Sequence, residues 1–168
     1  GLVLGPGGKL AVIGSSASIT IGNTGQTYEG ISFGNTGTGT ELSYTFDAAG
    51  VSSIATAGTT GGRLNFTIDD NLDLSVNADA LTGAEVGDRF LLLDYSQWRL
   101  DNVDQGTASI LPYIDFTDEG TTILGELDNP TDTEELFYEV TAIIPEPSTI
   151  GLLGLAGLGL SLRRRRRR

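Results

Sequence analysis

Residues 64–80 read Leu64-Asn65-Phe66-Thr67-Ile68-Asp69-Asp70-Asn71-Leu72-Asp73-Leu74-Ser75-Val76-Asn77-Ala78-Asp79-Ala80. Leu64, Phe66, Ile68, Leu72, Leu74, Val76, Ala78 and Ala80 share one phase of a two-residue period, with Asp70 the single polar exception. The other phase is Asn, Thr, Asp or Ser throughout. Successive side chains of a strand point to opposite faces, so this stretch covers a core on one side and meets water on the other. Asp69-Asp70-Asn71 reads as the turn between two strands.

The same alternation, punctuated by Gly and Asn, recurs along residues 1–142. It predicts strands over 9–13, 18–22, 28–33, 41–47, 53–57, 64–69, 72–77, 89–95, 109–116, 121–127 and 136–142. That spacing predicts an all-β body, either a β-solenoid or a β-sandwich. Gly-Asn-Thr-Gly occurs at 22–25 and again at 34–37, which predicts tight turns at equivalent places of stacked rungs or of two hairpins. Phe90 to Leu93 form an unbroken apolar run, the mark of a strand buried on both faces.

Charge narrows the function classes. The chain of 168 residues has 22 acids and 10 bases. Residues 1–144 hold only Lys9, Arg63, Arg89 and Arg99 against 21 acids, a formal balance of about −17 by simple counting. Such a surface repels phosphate backbones, so nucleic acid is not an expected partner. There is no Cys, His or Met. Disulfides, thiolate metal sites and Ser-His or Cys-His catalysis are therefore excluded. The first residue is not a translation start, which is the expectation for the C-terminal part of a longer chain.

Few residues point to chemistry. Asp69, Asn71 and Asp73 alternate oxygen ligands like the start of a calcium loop. The sixth position is Leu74 where such loops have Gly, and the twelfth is Ala80 where they have Glu. The solvent face of a strand explains the same residues. Tyr95 and Trp98 could stack on a sugar or cap the core edge. Carboxylate pairs such as Asp88 with Asp94, or Asp115 with Asp118, are what a glycosidase would need, but any acidic β protein offers such pairs.

The C-terminus differs from the rest. Residues 143–149 are a proline-rich linker. Residues 150–162 carry no charge and would form one apolar helix of about 20 Å, short for a bilayer core of about 30 Å. Arg163, Arg164, Arg165, Arg166, Arg167 and Arg168 follow, a cluster that would stop translocation on the cytoplasmic side. The order Pro145-Glu146-Pro147, apolar run, arginine cluster resembles the PEP-CTERM sorting signal of exported proteins in Gram-negative bacteria. The resemblance implies recognition by an exosortase, transient anchoring in the inner membrane and cleavage near Pro145, Glu146 and Pro147. It also implies release to the cell surface or extracellular space, often in exopolysaccharide-producing bacteria. Two body segments, 42–52 and 87–94, resemble those of repetitive, autotransporter-passenger-like surface proteins.

These readings converge on an exported structural or adhesive protein of the surface or matrix. It is not expected to be an enzyme, and no cofactor is expected, with calcium at Asp69, Asn71 and Asp73 the one candidate ion. The alternatives are a carbohydrate-binding module of a larger secreted enzyme and a carboxylate-dependent glycan-processing enzyme.

Overall fold

The computed structural model describes residues 2–4, 7–16, 19–22, 29–33, 39–57, 62–66, 71–101, 103–130 and 133–145. The all-β expectation is borne out: these residues form fourteen strands and one short 3₁₀ turn, with no closed barrel among them. In chain order they are β1 Leu2–Leu4, β2 Lys9–Ile13, β3 Ile19–Gly22, β4 Glu29–Phe33, β5 Thr40–Thr45, β6 Ile54–Ala57 and β7 Gly62–Phe66. They continue with β8 Leu72–Asn77, β9 Arg89–Asp94, β10 Gln97–Leu100, β11 Val103–Asp104, β12 Ile114–Asp118, β13 Ile123–Asp128 and β14 Glu135–Ile143.

Three sheets share these strands. The first has the order β1-β4-β7-β10-β11, the second β12-β8-β5-β2, the third β13-β14-β9-β6-β3. The chain visits the first, second and third sheets in turn and then returns to the first. Each strand up to β9 therefore pairs in parallel with a strand of a neighbouring circuit, not with its neighbour in sequence; β10 pairs in parallel with β7 and antiparallel with β11. A parallel pair needs a long crossover; here the strands of the other two sheets are the crossover.

Register carries apolar residues onto apolar residues. Leu10, Leu42, Leu74 and Phe116 stand in line in the second sheet. Ile31, Leu64 and Trp98 do so in the first, and Ile19, Ile54 and Leu93 in the third. These inward residues form one core. Phe33 and Phe66 stack at 5.4 Å, and Phe66 meets Trp98 edge-on at 6.1 Å. A one-residue slip of any strand would turn its apolar row to solvent, so burial fixes the register.

Leu64, Phe66, Leu72, Leu74, Val76 and Ala78 are all buried, as their shared phase requires. The phase fails at Ala80. β8 ends at Asn77, the chain turns at 79–80, and Leu81 is buried in place of the exposed Ala80. Residues 67–70, with the turn expected there, lie outside the described residues.

Other boundaries need correction. Residues 109–113 are not strand: the chain makes a 3₁₀ turn at Leu111–Tyr113 before β12. Pro112 lacks the N–H a strand ladder needs. β1, β10 and β11 are too short to show a period. Leu92 and Leu93 are both buried because β9 is bulged there: Leu136 pairs with Leu93 and Phe137 with Leu91. The extra residue re-aims the side chains. Phe90 and Leu91 are only half-buried.

The two Gly-Asn-Thr-Gly copies are not at equivalent places. The first follows β3 in the third sheet and the second follows β4 in the first sheet. Residues 23–28 and 34–38, including both turns, lie outside the described residues.

Candidate functional site

The last strand of the body ends where the proline-rich segment begins. β13 and β14 form an antiparallel hairpin whose second strand pairs with β9, extending the third sheet. Asn129, in the loop of that hairpin, is buried and fully engaged. Its Oδ1 accepts from the Ile110 amide at 3.0 Å, and its Nδ2 donates to the Glu135 carbonyl at 2.7 Å and to the Tyr95 hydroxyl at 3.0 Å.

The start of β13 is held by one carboxylate. Asp79, in the turn after β8, accepts from the amides of Thr121, Thr122 and Ile123 at 2.7–3.0 Å. It also accepts from the hydroxyls of Thr121, at 2.7 Å, and Thr122, at 2.8 Å. Desolvation pushes its pKa up, but these bonds to the charged form outweigh it and hold the carboxyl well below the usual range. The Thr122 carbonyl then accepts from the Ile144 amide at 2.7 Å. Ile144 directly follows β14 and directly precedes Pro145. One path of hydrogen bonds thus runs from Asp79 through the 121–123 turn to the residue before the motif.

The same device occurs one circuit earlier. Asp47 accepts from the Ser15 amide at 2.8 Å and from the Ser15 hydroxyl, and from the amides of Ala49 and Gly50. The bond from the Ser15 amide is the largest of the effects that lower its pKa. Gly14 has φ +74°, and a Cβ there would lie 2.9 Å from the Asp47 carboxylate, so glycine suits both the backbone and the approach. Asp47 reaches toward the preceding circuit and Asp79 toward the following one. The sequence signal is Leu42-Ser43-Tyr44-Thr45-Phe46-Asp47-Ala48 against Leu74-Ser75-Val76-Asn77-Ala78-Asp79-Ala80, thirty-two residues apart. That repeat, rather than Gly-Asn-Thr-Gly, marks equivalent positions.

Of the motif residues, Pro145 is described and exposed. Glu146, Pro147, the helix expected at 150–162 and Arg163 to Arg168 lie outside the described residues. Among the described residues no helix is long and apolar enough to cross a membrane.

Tyr95 and Trp98 come together but face inward. Trp98 is 2% exposed and Tyr95 4%. Trp98 packs against Phe66 and Tyr113, and its Nε1 donates to the Ala108 carbonyl at 2.6 Å. The cavity beside the two rings holds about 10 Å³, room for a water but not for a sugar ring. The sugar-stacking expectation is corrected here: neither aromatic offers the open face that stacking requires. Burial lifts the Tyr95 hydroxyl to about 12.

Asn71 and Asp73 do not sit on an ion-wrapping loop. Asp73 lies on β8 with Asn71 just before it. The Asn71 Nδ2 donates to Asp115 Oδ1 at 3.1 Å, and Asp73 is in register with Glu41 and Asp115 on the exposed face. Asp69 lies outside the described residues. No group of three His, Cys, Asp or Glu side chains suited to a metal ion occurs among the described residues. One carboxylate of each pair serves local structure. Asp88 accepts from the Glu85 amide, and Asp118 from the amides of Gly120 and Gly125 and from the Tyr138 hydroxyl.

A family model described as the PEP-CTERM protein-sorting motif matches residues 144–167. No curated protein and no solved structure matches the chain.

Proposed function

We propose that this is an exported protein whose β body is delivered to the cell surface or surrounding matrix by exosortase processing at Pro145, Glu146 and Pro147. One observation carries the reading: the sorting motif matches from Ile144 onward, where the last strand of the body ends. The apolar run at 150–162 holds the chain in the inner membrane before processing, with Arg163 to Arg168 on the cytoplasmic side. Replacing Pro145, Glu146 and Pro147 with alanine should leave uncleaved, membrane-held chain in cells that express the exosortase. Normal processing of that variant would reject the reading.

The body's role in this reading is structural or adhesive rather than enzymatic. We read the three-sheet circuit, with its in-register rows, as the end of a β-solenoid. The parallel pairing of each strand with the one a circuit away supports that reading, and so does the 32-residue repeat of the Asp47 and Asp79 corners. Of the carboxylates expected of a glycan-processing enzyme, Asp88 and Asp118 are engaged in holding turns. A polar exterior of Asn, Thr, Ser and Asp suits a hydrated exopolysaccharide matrix. Processed protein that fails to co-sediment with the host's exopolysaccharide or cell envelope would remove the matrix role.

A further inference from the structure

We propose that the end of β14, residues Thr141 to Ile144, is a gate on processing, held shut by the Asp79-clamped turn. The inference rests on the exosortase reading above and adds what controls access to the motif.

The geometry leaves little chain between body and membrane. Ile144 is still bonded to the body through the Thr122 carbonyl at 2.7 Å. The uncharged run starts six residues later, at Ile150. Six residues span at most about 20 Å fully extended. Each headgroup layer takes roughly 5–7 Å of that, from the difference between whole-bilayer and hydrocarbon thickness. On the exosortase reading, that chain length limits how far the body can stand from the headgroups while the run at 150–162 is in the membrane.

A peptide-cleaving enzyme must hold extended substrate on both sides of the bond it breaks. Cleavage leaves the body as the acyl product, a carboxylate if water is the acceptor, and the tail as a free amine. On the body side, the residues preceding Pro145 belong to β14. Ile143 pairs with Ile123 and Ala142 with Leu124, and the Thr141 hydroxyl donates to the Leu124 carbonyl at 3.4 Å. Ile143 and Ile144 are 42% and 46% exposed, so their side chains hold the strand end only weakly. What fixes it is the backbone pairing to β13, whose first residue and the two residues before it are tied to Asp79 by five donors. Freeing residues 141–144 would lengthen the accessible chain by about 13 Å. Local opening of a strand end costs far less than unfolding the body, so it can serve as a gate. Asp79 is thus a positioning residue: it acts on the motif through Thr122 and Ile144 and does not touch the bond that is cut.

The test is processing of the full chain in membranes containing the exosortase, followed by the rate at which the tail is released. A Gly-Ser-Gly-Ser spacer between Ile144 and Pro145 leaves the body unchanged. It should speed processing about ten-fold, the gain when a competent state populated at roughly a tenth becomes freely available. Asp79→Ala should speed it in the same direction and raise hydrogen exchange at the Ile144 amide. Combined with the spacer it should add nothing, which a merely destabilising substitution would not reproduce. If the unmodified chain is processed and the spacer leaves its rate unchanged, the gate is overturned while the exosortase reading stands. If neither form is processed, and residues 144–168 fused to an unstructured carrier are also untouched, both fall together.

Discussion

At one end of the strand stack the inward residues Leu2, Leu10, Ile19 and Ile21 are only half-buried, and β1, β2 and β3 each lie at a sheet edge with no further strand beside them among the described residues. At the other end β11 and the β13–β14 hairpin run antiparallel and finish the first and third sheets. Charge divides the same way. Residues 1–28 hold no acid and a single base, Lys9, which pairs with Glu41. From Asp115 to Glu139 the chain carries nine acids. The comparison teaches that closing a parallel stack takes more than stopping it. The closed end reverses strand direction, and it is there that the sorting motif follows.

The largest expected effect compares equivalent leucines. Leu74→Ala removes a buried side chain from the middle of the stack and should cost about 2–5 kcal/mol. Leu10→Ala, in the same row but at the open end, should cost less than half as much, about 1–2 kcal/mol, because part of the side chain already meets water. Urea denaturation of the two variants measures the difference. Equal costs would mean that something covers Leu10.

Asp79→Ala should come next, at about 1–2 kcal/mol, the low end for bonds to a charged group because the residue is only partly buried and solvent screens it. The sign of its pH dependence follows from a folded pKa held below the unfolded one. The stabilisation is fully present above the unfolded value of about 4 and is lost as pH falls toward the folded value. Urea midpoints between pH 5 and pH 2 should fall more steeply for the unmodified chain than for the variant. Parallel curves would show that the clamp adds nothing.

The same comparison explains what could be read from the sequence. Among the described residues, Leu64, Phe66, Leu72, Leu74, Val76 and Ala78 lie on the face their phase predicts, because each strand there has a buried and a wet side, and alternation records that difference. The hairpin end was harder. β10 and β11 are four and two residues long, too short for a period, and Leu92 with Leu93 breaks alternation through a bulge. Trp98 carries no mark of being inside; its burial comes from Ile31 and Leu64 stacking in register above it. The Asp79 clamp was hidden because its partners Thr121 to Ile123 lie 42 to 44 residues away. The Leu-Ser…Asp-Ala repeat at 42–48 and 74–80 is the signal that would have exposed both corners. The sorting motif was legible from order alone, because its recognition needs no tertiary contact.

Alkaline titration separates the interior from the rim. Burial raises the hydroxyls of Tyr44, Tyr138 and Tyr95, the last to about 12. Their protonated state supports the fold fully below the unfolded value of about 10, and this support is lost as pH rises toward the folded values. Absorbance at 295 nm should show these three of the five tyrosines resisting ionisation until the body unfolds. Complete ionisation near pH 10 in the folded protein would contradict the packing around them.

The smallest expected effect is the sharpest test of the open end. Ile13 and Val3 are 74% and 67% exposed, on the outward face of the first circuit. Changing either to Lys should move stability by no more than about 0.5 kcal/mol, as for ordinary surface positions. Charge even favours it, since each new Lys joins a body of about −17 by formal counting. Val12→Lys lies between them in type, on the same strand but pointing inward and buried, and should unfold the first circuit. If Ile13→Lys proved as damaging as Val12→Lys, the outward face of β2 would have to be packed against something, and the contrast between the two ends would be one of partners rather than of exposure.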